Sequence, residues 1–123
     1  MAQYADIVEI VAPSQASPGD LVNVTVRIKN LYSGLMGIKV SSIPEYNYSL
    51  EFPYDIANVN PGEIYSFSGS FTMPNRAVNL HTYSYWYGAD GNWYQDDEMT
   101  EAVNLNVLTP QISGFQIADY IKV

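Results

Sequence analysis

The dominant pattern along the chain is an alternation of apolar and polar residues with a period of two. It is clearest in residues 21–30, where Val22, Val24 and Val26 alternate with polar residues. A period of two is typical of an antiparallel strand with one face in a core and the other in solvent. Residues 64–73 repeat the alternation with aromatic side chains, so we predict a second strand of the same kind.

Further strands are predicted along the chain, separated by turns that contain proline or glycine. Their predicted ranges are 5–11, 37–43, 46–52, 78–88 and 101–108, with another strand beginning at Trp93. Helical periodicity persists nowhere in the sequence. About seven short strands with turns at regular spacing predict an all-β fold, in the form of a single antiparallel β-sandwich.

The pattern changes near the C-terminus, and we divide the chain there. Residues 1–108 are predicted to form the sandwich, and residues 109–123, the C-terminal segment, to form one more strand or an assembly arm. The segment follows Pro110 and carries alternating apolar residues such as Phe115 and Ile117, which are too hydrophobic for a free tail. Pairing within its own sheet and addition to a neighbouring subunit's sheet edge are equally compatible with this pattern.

Two stretches, ADIVEIVAPSQASPGDLVNVTVRIKN and VNPGEIYSFSGSFTMP, resemble the cell-adhesion-related (CARDB) family of modules. In that family a Pro-Gly turn introduces a long alternating strand, and a second Pro-Gly turn precedes an aromatic strand that ends near a proline. The resemblance covers residues 5–108. It implies an immunoglobulin-like antiparallel β-sandwich with a non-enzymatic surface, adhesion or spacer role. Family members usually occur in strings and carry a simpler closing hairpin than this chain does.

Composition narrows the range of partners. The 123 residues contain 13 acids, five basic residues and no cysteine, with a formal net charge of −8. Nucleic acid and anionic membrane surfaces are therefore not expected as partners, because both require clusters of Lys and Arg. No apolar run approaches the ~20 residues of a membrane-spanning helix, so membrane insertion is not expected.

Neither catalysis nor a cofactor is predicted. The only histidine is His81, and the chain has neither a cysteine nor a Gly-x-Ser-x-Gly elbow that would supply a nucleophile. Residues 90–98 contain several hard oxygen donors that suit calcium, but they lack the spacing of an EF-hand loop. We interpret this stretch as a hairpin turn at Asp90-Gly91 followed by a solvated acidic strand end, without a metal.

The stretch HTYSYWYGADGNWYQDDE is the richest in aromatic residues, and its strand has two different faces. One face carries His81 and a tyrosine stripe formed by Tyr83, Tyr85 and Tyr87. The other face carries Leu80, Thr82, Ser84 and Trp86. Alternation alone does not decide which face meets the core, because Leu80 and Trp86 compete with the tyrosines. Packing in the core or in a subunit interface is favoured over a platform for sugar rings.

These observations predict a non-enzymatic structural or binding module of an extracellular or virion-like assembly, such as a decoration, fibre or adhesion subunit. We expect a homo-oligomer or contacts with other subunits. The predicted contact residues are Tyr83, Tyr85, Tyr87, Trp93, Phe115, Ile117, Tyr120 and Ile121. The alternative is a carbohydrate-binding module that uses aromatic residues near the closing hairpin. No signal peptide is visible in MAQYADIVEI, so an intracellular location is the alternative to the cell surface or a virion.

Overall fold

The computed structural model describes residues 2–44 and 50–106, which contain eight strands. The strands are β1 (Ala5–Val11), β2 (Gln15–Ala16), β3 (Leu21–Asn30), β4 (Met36–Pro44), β5 (Ile56–Val59), β6 (Ile64–Thr72), β7 (Val78–Tyr87) and β8 (Trp93–Leu105). The described residues include no helix long and apolar enough to cross a membrane. The C-terminal segment lies outside the described residues, as does most of the strand predicted at 46–52.

The strands form two sheets. The first has the order β1-β3-β6, and the second has the order β2-β8-β7-β4-β5. Every pairing is antiparallel except that of the two-residue strand β2, which runs parallel to β8. The prediction of an all-β sandwich is confirmed.

The core lies between the two sheets and is built by the alternation seen in the sequence. Strand β3 turns Val22, Val24, Val26 and Ile28 inward, and each is at most 1% exposed. Strand β6 supplies Phe67 and Phe71 to the same layer, while its serines face outward. Ile38, Val40, Leu80 and Val103 cover this layer from the second sheet. The predicted inward faces of β3 and β6 are therefore confirmed.

The last part of the sandwich differs from the prediction in one respect. We predicted separate strands from Trp93 and at 101–108, whereas Trp93–Leu105 is a single strand of 13 residues. It stays paired with β7 from Tyr87↔Trp93 to Val78↔Val103, and a β-bulge near its middle maintains the pairing. The bulge breaks the alternation along the strand, which is why the sequence suggested two elements.

Strands β4 and β5 both belong to the second sheet, but the chain between them reaches the first sheet at Glu51 and then returns. Glu51 pairs with Ser70 of β6 through two backbone hydrogen bonds, of 3.0 and 3.1 Å. Four residues later the carbonyl of Asp55 accepts the amide of Val40 on β4 at 3.0 Å. Gly69 makes the first contact possible, because a Cβ atom at that position would lie 2.7 Å from the carbonyl oxygen of Glu51.

Candidate functional site at the closing hairpin

Strands β7 and β8 are joined by the turn predicted at Asp90-Gly91. The amide of Gly88 donates to the carbonyl of Asn92 at 2.8 Å, and the amide of Gly91 donates to the carbonyl of Gly88 at 3.0 Å. Gly91 has a φ of 83°, a conformation that suits a residue without a side chain. A carboxylate oxygen of Asp90 accepts the amide of Asn92 at 3.1 Å and fixes the turn.

The structure resolves which face of β7 meets the core. Leu80, Thr82 and Ser84 are fully buried between the sheets, and the Thr82 hydroxyl lies 2.9 Å from that of Ser42. Tyr83 and Tyr85 therefore point outward and are half-buried by neighbouring strands. Of the two packing interpretations, filling of the core is wrong, because a short polar pair and one leucine occupy that space.

The predicted hairpin residues form an outer aromatic face, which consists of Tyr83, Tyr85, Tyr87 and Trp93. Tyr87 and Trp93 are cross-strand partners with ring centroids 5.0 Å apart. On β4, the ammonium of Lys39 lies 5.8 Å from the Tyr85 ring centroid and 5.9 Å from that of Trp93. These are cation–π distances. The other predicted contact residues, Phe115, Ile117, Tyr120 and Ile121, lie outside the described residues.

A second group of aromatic rings surrounds Trp86 at the hairpin end of the sandwich. Tyr94 stacks on Trp86 at a centroid distance of 4.8 Å, and Tyr4 meets Trp86 edge-on at 4.9 Å. Tyr32 in turn meets Tyr4 edge-on at 5.2 Å. Tyr4, Tyr32 and Trp86 border the hairpin cleft, which has a volume of about 440 Å³ and is also lined by Leu35 and Tyr87.

This cleft was not predicted from the sequence. Its members come from distant parts of the chain, namely the N-terminus, the turn after β3, and the closing hairpin. Tyr4 and Tyr32 each stand beside a predicted strand end with no pattern that links them to Trp86. Only the pairing of strands brings the three rings together.

Two neighbouring acids of β8 form an N-terminal clamp, which we define as Asp96 and Asp97. The Asp96 carboxylate accepts the backbone amides of Gln3, Tyr4 and Ala5 at 2.7–2.8 Å. Asp97 accepts the amide of Ile7 at 2.9 Å. The clamp therefore joins the start of β1 to the opposite sheet.

The bulge in β8 explains how two consecutive residues reach the same strand. Tyr83 pairs with Glu98 and Tyr85 with Gln95, so both clamp residues lie opposite the single residue Ser84. A bulge removes the usual alternation of side chains and turns both carboxylates towards β1. Ser84 completes the junction, since its hydroxyl donates to the carbonyl of Ala5 at 2.6 Å and accepts the amide of Asp97 at 3.0 Å.

The environment of the clamp and of the hairpin turn shifts the pKa values of Asp6, Asp90 and Tyr94. Burial, together with the nearby Asp97, raises the pKa of Asp6 above its usual 3.8. The Tyr94 hydroxyl donates to Asp90, which lowers the pKa of the Asp90 carboxyl and raises that of the Tyr94 hydroxyl. Within residues 2–44 and 50–106, no group of three or more acids or histidines is arranged to hold a metal ion.

His81 lies on the outer face, where its cross-strand partners are Ile43 and Thr100. Neither partner is the acid that orients the histidine of a nucleophilic triad.

No protein-family model and no curated protein matches the chain. Solved structures do match. A CARDB domain from Pyrococcus furiosus in complex with di-metal ions is 15% identical, with a TM-score of 0.62 over 85% of this chain and 96% of that one. A PKD domain of an M14-like peptidase from a Thermoplasmatales archaeon is 14% identical, with a TM-score of 0.57 over 85% of this chain and 98% of that one.

A third similar structure is native alpha-2-macroglobulin from Escherichia coli, from domain MG7 to its C-terminus. It is 17% identical, with a TM-score of 0.62 over 86% of this chain but only 17% of that chain. At these identities the likeness concerns the fold. The fold is the CARDB-type immunoglobulin-like β-sandwich that the two sequence stretches predicted.

Proposed function

We propose that this domain is a non-enzymatic structural or binding module, and specifically a subunit of an extracellular or virion-like assembly. One observation carries the proposal: an outer aromatic face lies outside the core. It consists of Tyr83, Tyr85, Tyr87 and Trp93. The Tyr87 side chain, for example, is 49% exposed. Tyrosine and tryptophan are enriched in interfaces because one ring combines apolar area with a polar group.

The fold supports this use. The sandwich matches nearly the whole of the CARDB and PKD domains and a small part of a much larger macroglobulin. All three matched sandwiches are parts of longer proteins. Fold likeness alone does not identify a partner, so the partner is argued from the surface.

The outer aromatic face has the features of a contact with another protein subunit. It is a sheet surface made of adjacent strands, which suits a flat partner. Lys39 stands between Tyr85 and Trp93, and Glu98 lies directly across from Tyr83. Charges of both signs beside aromatic rings are the usual border of an interface. The C-terminal segment, with Phe115, Ile117, Tyr120 and Ile121, is the second proposed contact.

The first test measures molar mass by light scattering as the concentration of the full chain is raised. We expect oligomers, and we expect the double variant Tyr83→Ser/Tyr85→Ser to weaken association at least tenfold. Leu21→Ser is the matched control, because Leu21 is 66% exposed on the other sheet. Deletion of residues 111–123 should also weaken association. A protein that stays monomeric at all concentrations contradicts the proposal.

The alternative, carbohydrate binding, is favoured by the hairpin cleft, where Tyr32, Trp86 and Tyr87 line a concave space of suitable size for sugar rings. A glycan array tests it with two variants. Trp93→Ala changes the outer aromatic face, and Tyr32→Ala changes the cleft, so the two variants distinguish the sites. Absence of binding to common polysaccharides removes this alternative.

A further inference from the structure

Strand β6 has an open edge. On one side it pairs with β3 along its whole length, from Leu21↔Thr72 to Lys29↔Ile64. On its other side, the part of the chain that the structure describes supplies a single bridge, between Glu51 and Ser70. The stretch from Ile64 to Ser68 therefore ends the three-stranded sheet.

The direction of the backbone groups at this edge follows from that bridge. Both the amide and the carbonyl of Ser70 are bonded to Glu51, so they point away from β3. Residues two apart in a strand point to the same edge. The amides and carbonyls of Ser66 and Ser68 thus face outward, while those of Phe67 and Gly69 serve the pairing with β3.

The edge is open because the stretch that pairs with it at Glu51 turns away to the second sheet. Continuing the Glu51↔Ser70 register would place Pro53 opposite Ser68, and proline has no amide to donate. From there the chain crosses to the second sheet, where the carbonyl of Asp55 is bonded to Val40. A groove of about 270 Å³ remains between Pro53-Tyr54 and the stretch from Tyr65 to Ser68.

Nothing in the stretch protects it from pairing with another strand. Natural edge strands are usually blocked by lysine, proline or a bulge. Residues 64–68, Ile-Tyr-Ser-Phe-Ser, contain none of the three, and their pairing with β3 is regular. Tyr54 is 80% exposed and Tyr65 is 40% exposed, so two rings flank the groove. The edge is therefore suited to the addition of an extended, apolar segment.

We propose that the edge of β6 at Ser66 and Ser68 receives the C-terminal segment, residues 109–123, of a second copy of this chain. This inference rests on the proposed function, and it names the acceptor for the proposed assembly arm. The segment alternates apolar residues, as an added strand requires, and its Asp119 and Lys122 cancel in charge. It therefore avoids the repulsion that the remaining chain, with a net charge of −8, imposes on a second copy.

The reach of the segment fits this acceptor. Asn106, the last described residue, is bonded to the carbonyl of Ala16 at 2.7 Å, and nearby Gly19 is bonded to Met73, just beyond β6. Asn106 thus lies at the end of the sandwich where β6 finishes. Residues 107–123 span roughly 55 Å when extended, which is enough to cross to a neighbouring copy.

Amide hydrogen exchange of the full chain at low and high concentration tests the proposal. We expect exchange at Ser66 and Ser68 to slow at least tenfold as the protein associates. The amides of Phe67 and Gly69, which are already paired with β3, are the internal reference. Adding a synthetic peptide of residues 109–123 should slow exchange at the same two serines and dissociate the oligomer.

A pair of variants separates the backbone group from the side chain. Ser68→Pro removes the outward amide and should weaken association at least tenfold, whereas Ser68→Ala keeps the amide and should associate like the original protein. Exchange in the unmodified chain decides the matter if Ser68→Pro fails to fold. Oligomers without protection at Ser66 and Ser68 would overturn this inference and leave the proposed function intact. Protection that is independent of concentration would mean pairing within one copy and would also overturn it.

Discussion

At the scale of single residues, the N-terminal clamp shows how side chains replace a missing strand partner. The amides of Gln3 and Tyr4 come just before β1 and that of Ala5 begins it, and the Asp96 carboxylate accepts all three. Hydrogen bonds to an ionised acceptor are stronger than neutral ones. The sequence suggested only a solvated acidic strand end, because the partners lie more than 90 residues earlier and a bulge redirects the carboxylates.

We expect Asp96→Asn to destabilise the domain by about 1–3 kcal/mol, because an amide oxygen replaces a charged acceptor of three backbone bonds. Urea unfolding measures the change, and hydrogen exchange at Ala5 locates it. Glu98→Gln is the matched control on the exposed side of the same strand, and it should change stability by less than about 0.5 kcal/mol. Equal effects of the two variants would show that the clamp contributes nothing.

Asp6 makes stability depend on pH. Burial and Asp97 raise its pKa in the folded state above 3.8, although the cross-strand partner Lys29 acts in the opposite direction. A raised pKa means that the folded state binds the proton more tightly. The stabilising contribution of Asp6 to folding is thus fully present below pH 3.8. It is lost as the pH rises through the raised pKa of the folded state.

Asp6→Asn should therefore stabilise the domain at neutral pH, and its advantage should shrink as the pH falls through the raised pKa towards 3.8. Urea midpoints of the two proteins, compared across this range, measure the effect. An advantage that is constant with pH would point to packing rather than charge.

At the scale of elements, regular alternation predicted strands well and predicted facing only where one side was clearly apolar. Apart from Leu21 at its start, strand β3 has aliphatic residues on one face only, so its inward side was evident. Strand β7 carries large apolar side chains on both faces, and the packing of Thr82 and Ser84 against the core decided the outcome. The short strands β2 and β5 left no signal, because two and four residues cannot show a period.

Gly69 allows the stretch 50–52 to approach β6 closely, next to the open edge of that strand. We expect Gly69→Ala to destabilise the domain by about 1–3 kcal/mol, because its methyl group would collide with the carbonyl of Glu51 and with side chains of Leu50 and Phe52. Thermal unfolding measures the loss. Gly34→Ala is the control, since its closest neighbour is the ring of Tyr32 at 3.2 Å rather than backbone. A neutral Gly69→Ala would mean that the 50–52 stretch shifts freely.

At the scale of the whole molecule, the Pro-Gly turns and the alternation between them predicted the fold. The hairpin cleft could not be predicted from the sequence. The turns act locally and are visible in a few residues. The cleft joins Tyr4, Tyr32 and Trp86, whose proximity depends on the pairing of strands from both sheets. Local patterns therefore predicted the architecture and left the concave surface to the structure.

The net charge of −8 opposes any contact between copies of this chain. Salt screens such repulsion, with a Debye length of ~10 Å at 0.1 M ionic strength. If association occurs through the apolar surfaces proposed above, it should strengthen several-fold between about 50 mM and about 500 mM NaCl. Sedimentation velocity at a fixed protein concentration measures this change, and a weakening with salt would indicate that ion pairs dominate the contact.

The N-terminal clamp also determines how the domain responds to mechanical force. Strand β1 begins beside the closing hairpin, whereas β8 ends at the opposite end of the sandwich, next to β2. Tension applied between these two ends pulls β1 and β8 in opposite directions along their own axes. Strand hydrogen bonds lie across that axis, so the bonds of β1 to β3 and to the clamp are sheared together rather than opened one after another. A fibre made of such domains would yield abruptly at high force instead of stretching gradually.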